Sequence, residues 1–291
     1  MGELKEQQTA LDIDAQVENL KSIGLIIKDE DYAKGILNDI SYFRLIKAFS
    51  LGLKAKNSQY NDGITFEKVV QLYLFNSNLR QHIFPQIEIL EINLRCRLSN
   101  YFCTKYGVLG YQQPEKFANP DFHESFINDI KIEINRNFRA PFVKNFKENY
   151  INGDIPLYAL VELFSFGTLS KFFKNMKNED KKAVAKTFNV GYTYFESWIE
   201  SMAFVRNVCA HYGRLYNIKI PKTPILYKQY SNIRIGNNRI YAVLLCMKSL
   251  IKNDNHWRSF VDTLDLLIEK YDGVNINSMG FPTNWKELLK E

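Results

Sequence analysis

Only 14 glycines and 8 prolines punctuate 291 residues. A strand-rich fold of that length needs many tight turns, and these two residues supply much of the backbone geometry that turns demand. Their scarcity points to long helices and an all-α fold. The apolar spacing agrees. Ile13, Val17 and Leu20 recur at helical intervals within residues 12–22, and Gly24 stands where a left-handed residue would end that helix. Helical patterns follow at 29–37 and through ISYFRLIKAF, residues 40–49. Thr65, with Glu67 close behind, opens the longest pattern, which runs to about Tyr106. Pro85 lies inside it and predicts a kink or break near residues 83–84. Beyond Pro85, the register Ile87, Leu90, Leu94 and Leu98 makes one apolar face.

Further helices are expected at 121–136, 139–150, 157–164, 168–176, 179–188, 193–212, 238–252, 255–270 and 284–290. The polar, glycine-containing stretch 50–63 reads as a linker, and 219–236, with Pro221 and Pro224, as a long loop. The expected architecture is a bundle of about ten helices, with an N-terminal helical segment at 1–60 and the main helical domain at 61–291. A 46% hydrophobic, 24% charged composition excludes disorder and low complexity. No apolar run approaches the ~18 residues of a membrane-spanning helix. The opening MGELKEQQTALDIDAQ has no apolar core of a signal peptide, so the expected location is the cytoplasm. Cys96, Cys103, Cys209 and Cys246 form no CxxC pair and have no histidine at ligand spacing. They read as buried small hydrophobes, and no metal or cofactor is expected.

The net charge of +6 says little until it is resolved along the chain. Residues 201–253 contain no Asp or Glu, where the 11% acidic content of the whole chain would place about six. They carry nine bases, Arg206, Arg214, Lys219, Lys222, Lys228, Arg234, Arg239, Lys248 and Lys252, so the rest of the chain sums to −3. A solvated surface normally mixes its charges. An acid-free window interleaved with Tyr212, Tyr216, Tyr227, Tyr230 and Tyr241 suggests a phosphate-bearing partner, with an exposed Tyr212 or Tyr216 stacking on a base.

Within the window lies the densest polar cluster, RNVCAHYGRLYN at 206–217. Metal-free cleavage of RNA needs one group to take the ribose 2′-OH proton, one to protonate the leaving 5′-oxygen, and a cation for the phosphorane. Histidine suits the first two tasks because it titrates near neutrality. Arginine suits the third through its fixed charge and forked donors. On a helix, Asn207, His211 and Arg214 would share one face, whereas Arg206 and His211, five apart, diverge by about 140°. A groove between helices or across a two-fold axis would reunite them. The competing reading is that Arg206 and His211 only satisfy carbonyls at a helix end.

The cluster resembles the R-x4-H signature of the HEPN superfamily, with Arg206, Asn207 and His211 at its motif positions, and in its extended form the Abi-like (abortive infection) proteins. ISYFRLIKAF is similar to that family's Tyr-x-Arg-Leu motif. Residues 79–98 resemble its central helix, with Glu91 and Arg95 one turn apart. PLYALVELFSFGTLSKFF at 156–173 and MGFPTNW at 279–285 resemble two further elements. The resemblance implies an all-α, HEPN-like bundle with additional N- and C-terminal helices. It also implies a homodimer, and metal-independent endoribonuclease activity in phage defence or a toxin–antitoxin system. By the same analogy His211 is the acid/base, Arg206 the phosphate ligand, and Asn207 orients the scissile group or the histidine.

Glu91 and Arg95, at i and i+4, either form a plain intrahelical pair contributing about 0.2–0.5 kcal/mol, or Glu91 holds Arg206 or Arg95 at the mouth of a cleft. Arg214, Asn217, Lys219 and Lys222 are candidates for RNA contact. Glu162 is expected to cap or pair within the bundle, Gly167 to permit close helix approach, and Arg44 to sit in a buried salt bridge. His82, His123 and His256 read as surface or capping residues. The expected partners are RNA, as substrate or antitoxin, a second copy of the chain, and a cognate antitoxin, with no membrane. The alternatives to an enzyme are a non-catalytic RNA-binding module and a protein-binding sensor of infection.

Overall fold

The computed structural model describes residues 9–271 and 273–291, and its fold is all-α. The first eight residues of the polar N-terminus lie outside the described residues. Among those described there are thirteen α-helices and isolated bridges but no strand, and no helix is long and apolar enough to cross a membrane. The chain forms two compact units, one from Met1–Asn78 with Leu267–Val274, the other from Leu79–Leu266 with Asn275–Glu291. The first unit's opening stretch ends at Asn78, inside the helix Phe66–Tyr106.

In the first unit, α1 (Ile13–Ser22) starts at Asp12, whose carboxylate accepts from the Ala15 N–H at 2.8 Å, and buries Val17 and Leu20. It ends as expected: Gly24 takes φ +85°, and the Leu25 N–H closes on the Leu20 carbonyl at 3.0 Å. α2 (Glu30–Asp39) is capped by Asp29 and packs on α1. ISYFRLIKAF winds as a π-helix over Phe43–Lys47, burying Leu45 and Ile46. Arg44 is exposed there rather than buried, because the wider turn directs Leu45 and Ile46 inward and leaves it outside. The expected linker at 50–63 is a largely exposed loop, buried at Ser50 and Tyr60. Tyr60 pins it from inside, 5% exposed, with its hydroxyl 2.6 Å from Ser50 Oγ and its N–H donating to Ile23 O.

α3 (Phe66–Tyr106) has 41 residues, about 60 Å of helix. Thr65 Oγ1 accepts from the Lys68 N–H at its start, as the sequence indicated. The helix does not break at Pro85. A mid-helix proline costs about 3 kcal/mol. Here Leu79, Ile83, Ile87 and Leu90 are all buried on either side of it, and each such side chain contributes about 1.5–3 kcal/mol.

From Leu79 onward α3 lines the second unit through Leu94, Leu98 and Phe102. Around it come α4 (Pro120–Arg136), α5 (Pro141–Asn149), α6 (Leu157–Leu160), α7 (Phe166–Asn175), α8 (Asn178–Thr187) and α9 (Tyr192–Ala210). The expected long loop contains one short helix, α10 (Lys228–Asn232), before α11 (Ile240–Leu250), α12 (Asp254–Lys270) and α13 (Trp285–Lys290). α11 is apolar on nearly every side and buried from Ile240 to Met247, the signature of a central helix. It packs on α9 and α13, and α9 packs on α7 and α8. The tail motif is core: Met279, Phe281 and Trp285 are buried, and the Tyr241 hydroxyl donates to Trp285 O.

Several side chains sit elsewhere than expected. His123 is buried and bonded to Tyr111 O at 2.8 Å, because its register faces the Phe117 ring. His82 is half-buried, stacked on Phe260 and bonded to that residue's carbonyl. His256 is exposed, as anticipated. A Cβ on Gly167 would meet only Ser165 Oγ, at 3.5 Å, so no close helix approach requires that glycine. Cys209 and Cys246 are buried, but Cys96 lies on the outer side of α3 and is exposed.

Candidate functional site

The cluster at 206–217 straddles the end of α9. The helix stops at Ala210, with His211 as its C-cap. Tyr212 then takes φ +57°; its N–H closes on Cys209 O at 3.3 Å and the Gly213 N–H on Val208 O at 2.7 Å. This is a Schellman ending with tyrosine where glycine is usual. Gly213 sits in a tight place: a Cβ there would lie 3.1 Å from Val208 O and 3.0 Å from Val208 Cγ1, so Val208 would have to give by a few tenths of an ångström. Arg80, 6% exposed on α3, locks the turn by donating to the Gly213 carbonyl at 3.0 Å.

This ending corrects one expectation. Arg214 lies past the helix and shares no helical face with Asn207 and His211. It is half-buried, and desolvation lowers it from the ordinary guanidinium value. Asn207 and His211 stand exposed one turn apart, and among the described residues neither side chain has a hydrogen-bond partner. The imidazole is therefore not a carbonyl cap. Cys209, between them in sequence, turns inward, and burial pushes its thiol up to about 12.

Arg206 turns the other way, toward α3. Its Nε donates to Glu91 Oε2 at 3.2 Å, while Glu91 Oε1 accepts from Arg95 Nη2 at 3.1 Å. Glu91 thus does both things the sequence allowed: it pairs within its helix and holds Arg206. Arg95 also donates to Phe164 O at 2.8 Å, and its Nη1 is buried without a partner among the described residues. These groups line a pocket of about 220 Å³ with Phe84, Glu88, Ile92 and Glu162. Glu162 faces this opening and is exposed, and has no ion pair among the described residues, rather than capping the bundle. Three carboxylates and two guanidiniums make the pocket slightly acidic, not basic. Neither Asn207 nor His211 lines it. The 140° divergence explains why: with Arg206 turned onto α3, a residue five positions later faces elsewhere.

The acid-free window does not form one basic cleft, because an acid and two carbonyls from outside it and an amide within it engage several of its bases. Lys222 pairs with Glu200 at 3.0 Å and Arg239 donates to Asn217 Oδ1 at 3.2 Å. Lys248 donates to Leu288 O and Lys252 to Thr187 O. Asn217, with φ +51°, shapes its turn. Lys219 and Lys222 are exposed. Of the tyrosines, Tyr212 is 69% exposed, but Tyr216, Tyr230 and Tyr241 are buried, so Tyr216 is not presented for stacking. Sequence reasoning missed Arg80 and Glu88. Arg80 carried a signal, a cation in helical register with Ile83 and Ile87 and hence on a core face. Among the described residues no cluster of three or more His, Cys, Asp or Glu stands ready for a metal ion.

No curated protein and no solved structure matches this chain. The sequence model of the family described as Abi-like protein matches residues 35–217. That range holds the π-helical segment, Glu91 with Arg95, residues 156–173, and the whole 206–217 cluster; the tail at 279–285 lies beyond it. With well over half of its length matched, the chain belongs to the Abi-like protein family.

Proposed function

We propose that this protein is a metal-independent endoribonuclease of the HEPN type, acting in the cytoplasm in abortive-infection or toxin–antitoxin defence against phage. One observation carries the reading: at the end of α9, Asn207 and His211 stand unpartnered in solvent, while Arg206 is held in place by Glu91. An imidazole that reaches solvent is open to a substrate hydroxyl, and a guanidinium fixed through Nε keeps both Nη groups for a phosphate. His211 accepts the 2′-OH proton as that oxygen attacks the adjacent phosphorus. The bond to the 5′-oxygen breaks, and this oxygen leaves with a proton from a second imidazole. The products are a 2′,3′-cyclic phosphate and a 5′-hydroxyl end. Arg206 neutralises the phosphorane, and exposed Tyr212 offers a ring on which a neighbouring base stacks. Arg214, Lys219 and Lys222 contact the RNA backbone. Because Arg206 and His211 diverge within one chain, a homodimer that faces two copies of α9 is the arrangement that completes the site.

A second reading, non-catalytic RNA binding controlled by an antitoxin, is favoured by the separation of Asn207 and His211 from the pocket that Arg206 lines. Turnover separates the two. The purified chain is incubated with RNA in EDTA, and the ends are identified by mass spectrometry. The expected result is cyclic-phosphate ends, with cleavage lowered about 10²–10⁴-fold in His211→Ala and strongly in Arg206→Ala. Cleavage that survives both substitutions would sink the assignment, and RNA binding without turnover would favour the second reading.

A further inference from the structure

Away from the α9 cluster, α4 and α7 pack side by side and leave a groove of about 230 Å³ between them. Each helix contributes one face at i, i+3, i+4, i+7 spacing: Phe122, Ser125, Phe126 and Asp129 from α4, and Thr168, Lys171, Phe172 and Asn175 from α7. Phe117, Phe126 and Phe172 form the floor, with ring centroids 5.2–6.3 Å apart and little solvent exposure. Phe122 is different. It lines the same groove but is 62% exposed, an aromatic wall without a covering group. At the rim, Lys171 reaches Asp129 only at 3.7 Å and Lys174 reaches Glu200 only at 3.9 Å. Glu200 has a closer partner in Lys222, so both lysines are exposed and loosely held.

We propose that this groove docks a segment of another protein, one large apolar side chain seated between Phe122 and the aromatic floor and flanked by carboxylates that meet Lys171 and Lys174. Size, polarity and charge support this occupant. The volume lies below the 300–1,000 Å³ usual for whole small-molecule ligands and suits a single side chain. The walls are mainly carbon. The one amide in the lining, Asn175, is committed in both directions to Asn119, donating to its carbonyl and accepting from its N–H at 3.0 Å each. A nucleobase would set much of its polar edge against carbon walls, whereas a Phe or Leu side chain loses nothing by it. The two lysines against one aspartate make the rim complementary to an acidic segment, and central aromatic anchors with charged rims are how small protein interfaces obtain affinity and specificity.

The test uses the full chain and short capped peptides, Glu-Glu-Phe-Glu-Glu, its Leu and Ala analogues, and Lys-Lys-Phe-Lys-Lys, observed by saturation-transfer difference NMR. The expected result is transfer to the Phe ring and the Leu methyls of the acidic peptides, and at least fivefold less to the Ala and lysine-flanked analogues. Signal should weaken from 50 to 500 mM salt. Phe122→Asp is exposed and leaves the floor intact; with its fold checked by circular dichroism, it should remove the signal. Lys171→Glu with Lys174→Glu should switch preference to the lysine-flanked peptide. Equal transfer to all four peptides, no transfer to any, or signal unchanged in these variants would overturn the proposal. So would adenosine monophosphate displacing the Phe peptide through the same residues, which would make the groove a nucleotide site.

Discussion

Replacing Glu91 by glutamine removes the single negative charge on which two guanidiniums converge. The Glu91 side chain is 10% exposed, Arg95 13% and Arg206 28%. Hydrogen bonds to a charged group contribute about 1.5–3 kcal/mol each. Glutamine keeps one acceptor oxygen and sets an NH₂ against the other guanidinium, so one bond is lost and the other keeps a charged donor but only a neutral acceptor. Removing one partner of a fully buried pair costs about 3–5 kcal/mol. Arg206 can swing into the open pocket and recover water, which lowers the cost to about 2–3 kcal/mol. At about 2–4 °C per kcal/mol for a large domain, the melting temperature should fall by roughly 4–12 °C. Differential scanning fluorimetry gives the single-variant effect. A cycle of Glu91→Gln, Arg206→Ala and the double variant, followed by urea unfolding, gives the coupling, expected at about 1–2 kcal/mol. A melting shift within 1 °C, or a coupling indistinguishable from zero, would refute the claim that Glu91 positions Arg206.

Tyr212 occupies the left-handed region, which costs a non-glycine residue about 1–2 kcal/mol, partly offset by the unfolded-state entropy of glycine. Tyr212→Gly should therefore stabilise the fold by up to about 1 kcal/mol while weakening RNA affinity; loss of stability in urea titrations would contradict the geometry. Asp180, fully buried, accepts from the Tyr101 and Tyr106 hydroxyls at 2.7 and 2.8 Å and from Lys105 at 2.6 Å. Burial, then the Asp180 carboxylate, pushes the Tyr101 phenol up to about 12. Asp180→Asn should destabilise by about 3 kcal/mol and lower the pH at which Tyr101 ionises, read by ultraviolet titration; an unchanged Tyr101 titration would exclude that coupling. Burial lowers the His82 pKa below its ordinary value. A depressed histidine contributes stability that is present above its unfolded pKa, about 6.5, and lost as pH falls through the folded value. Melting temperatures taken from pH 7.5 to 5 should fall, and fall less steeply in His82→Phe; parallel profiles would assign the acid sensitivity to other groups.

Local signals in the sequence determined most of the helices. Asp12, Asp29 and Thr65 begin theirs, and Gly24 ends one, because caps act over three or four residues and need no tertiary partner. The Ile87–Leu98 register named its buried face, since one apolar stripe on a helix has one way to leave water. The motif residues Arg206, Asn207 and His211 were legible too, but their arrangement was not. Where α9 stops depends on Gly213 fitting against Val208, five positions before it, and on Arg80 reaching across from α3, 133 positions away. The charge count illustrates the same division. Sequence alone isolates nine bases in an acid-free stretch, yet Glu91 and Glu200, from outside it, neutralise two of them, and Leu288 and Thr187 carbonyls take two more. The sequence decides which groups exist and which local turns they favour. Only the packing of distant helices decides which charges meet, because Coulomb and hydrogen-bond energies depend on separations that chain order does not encode.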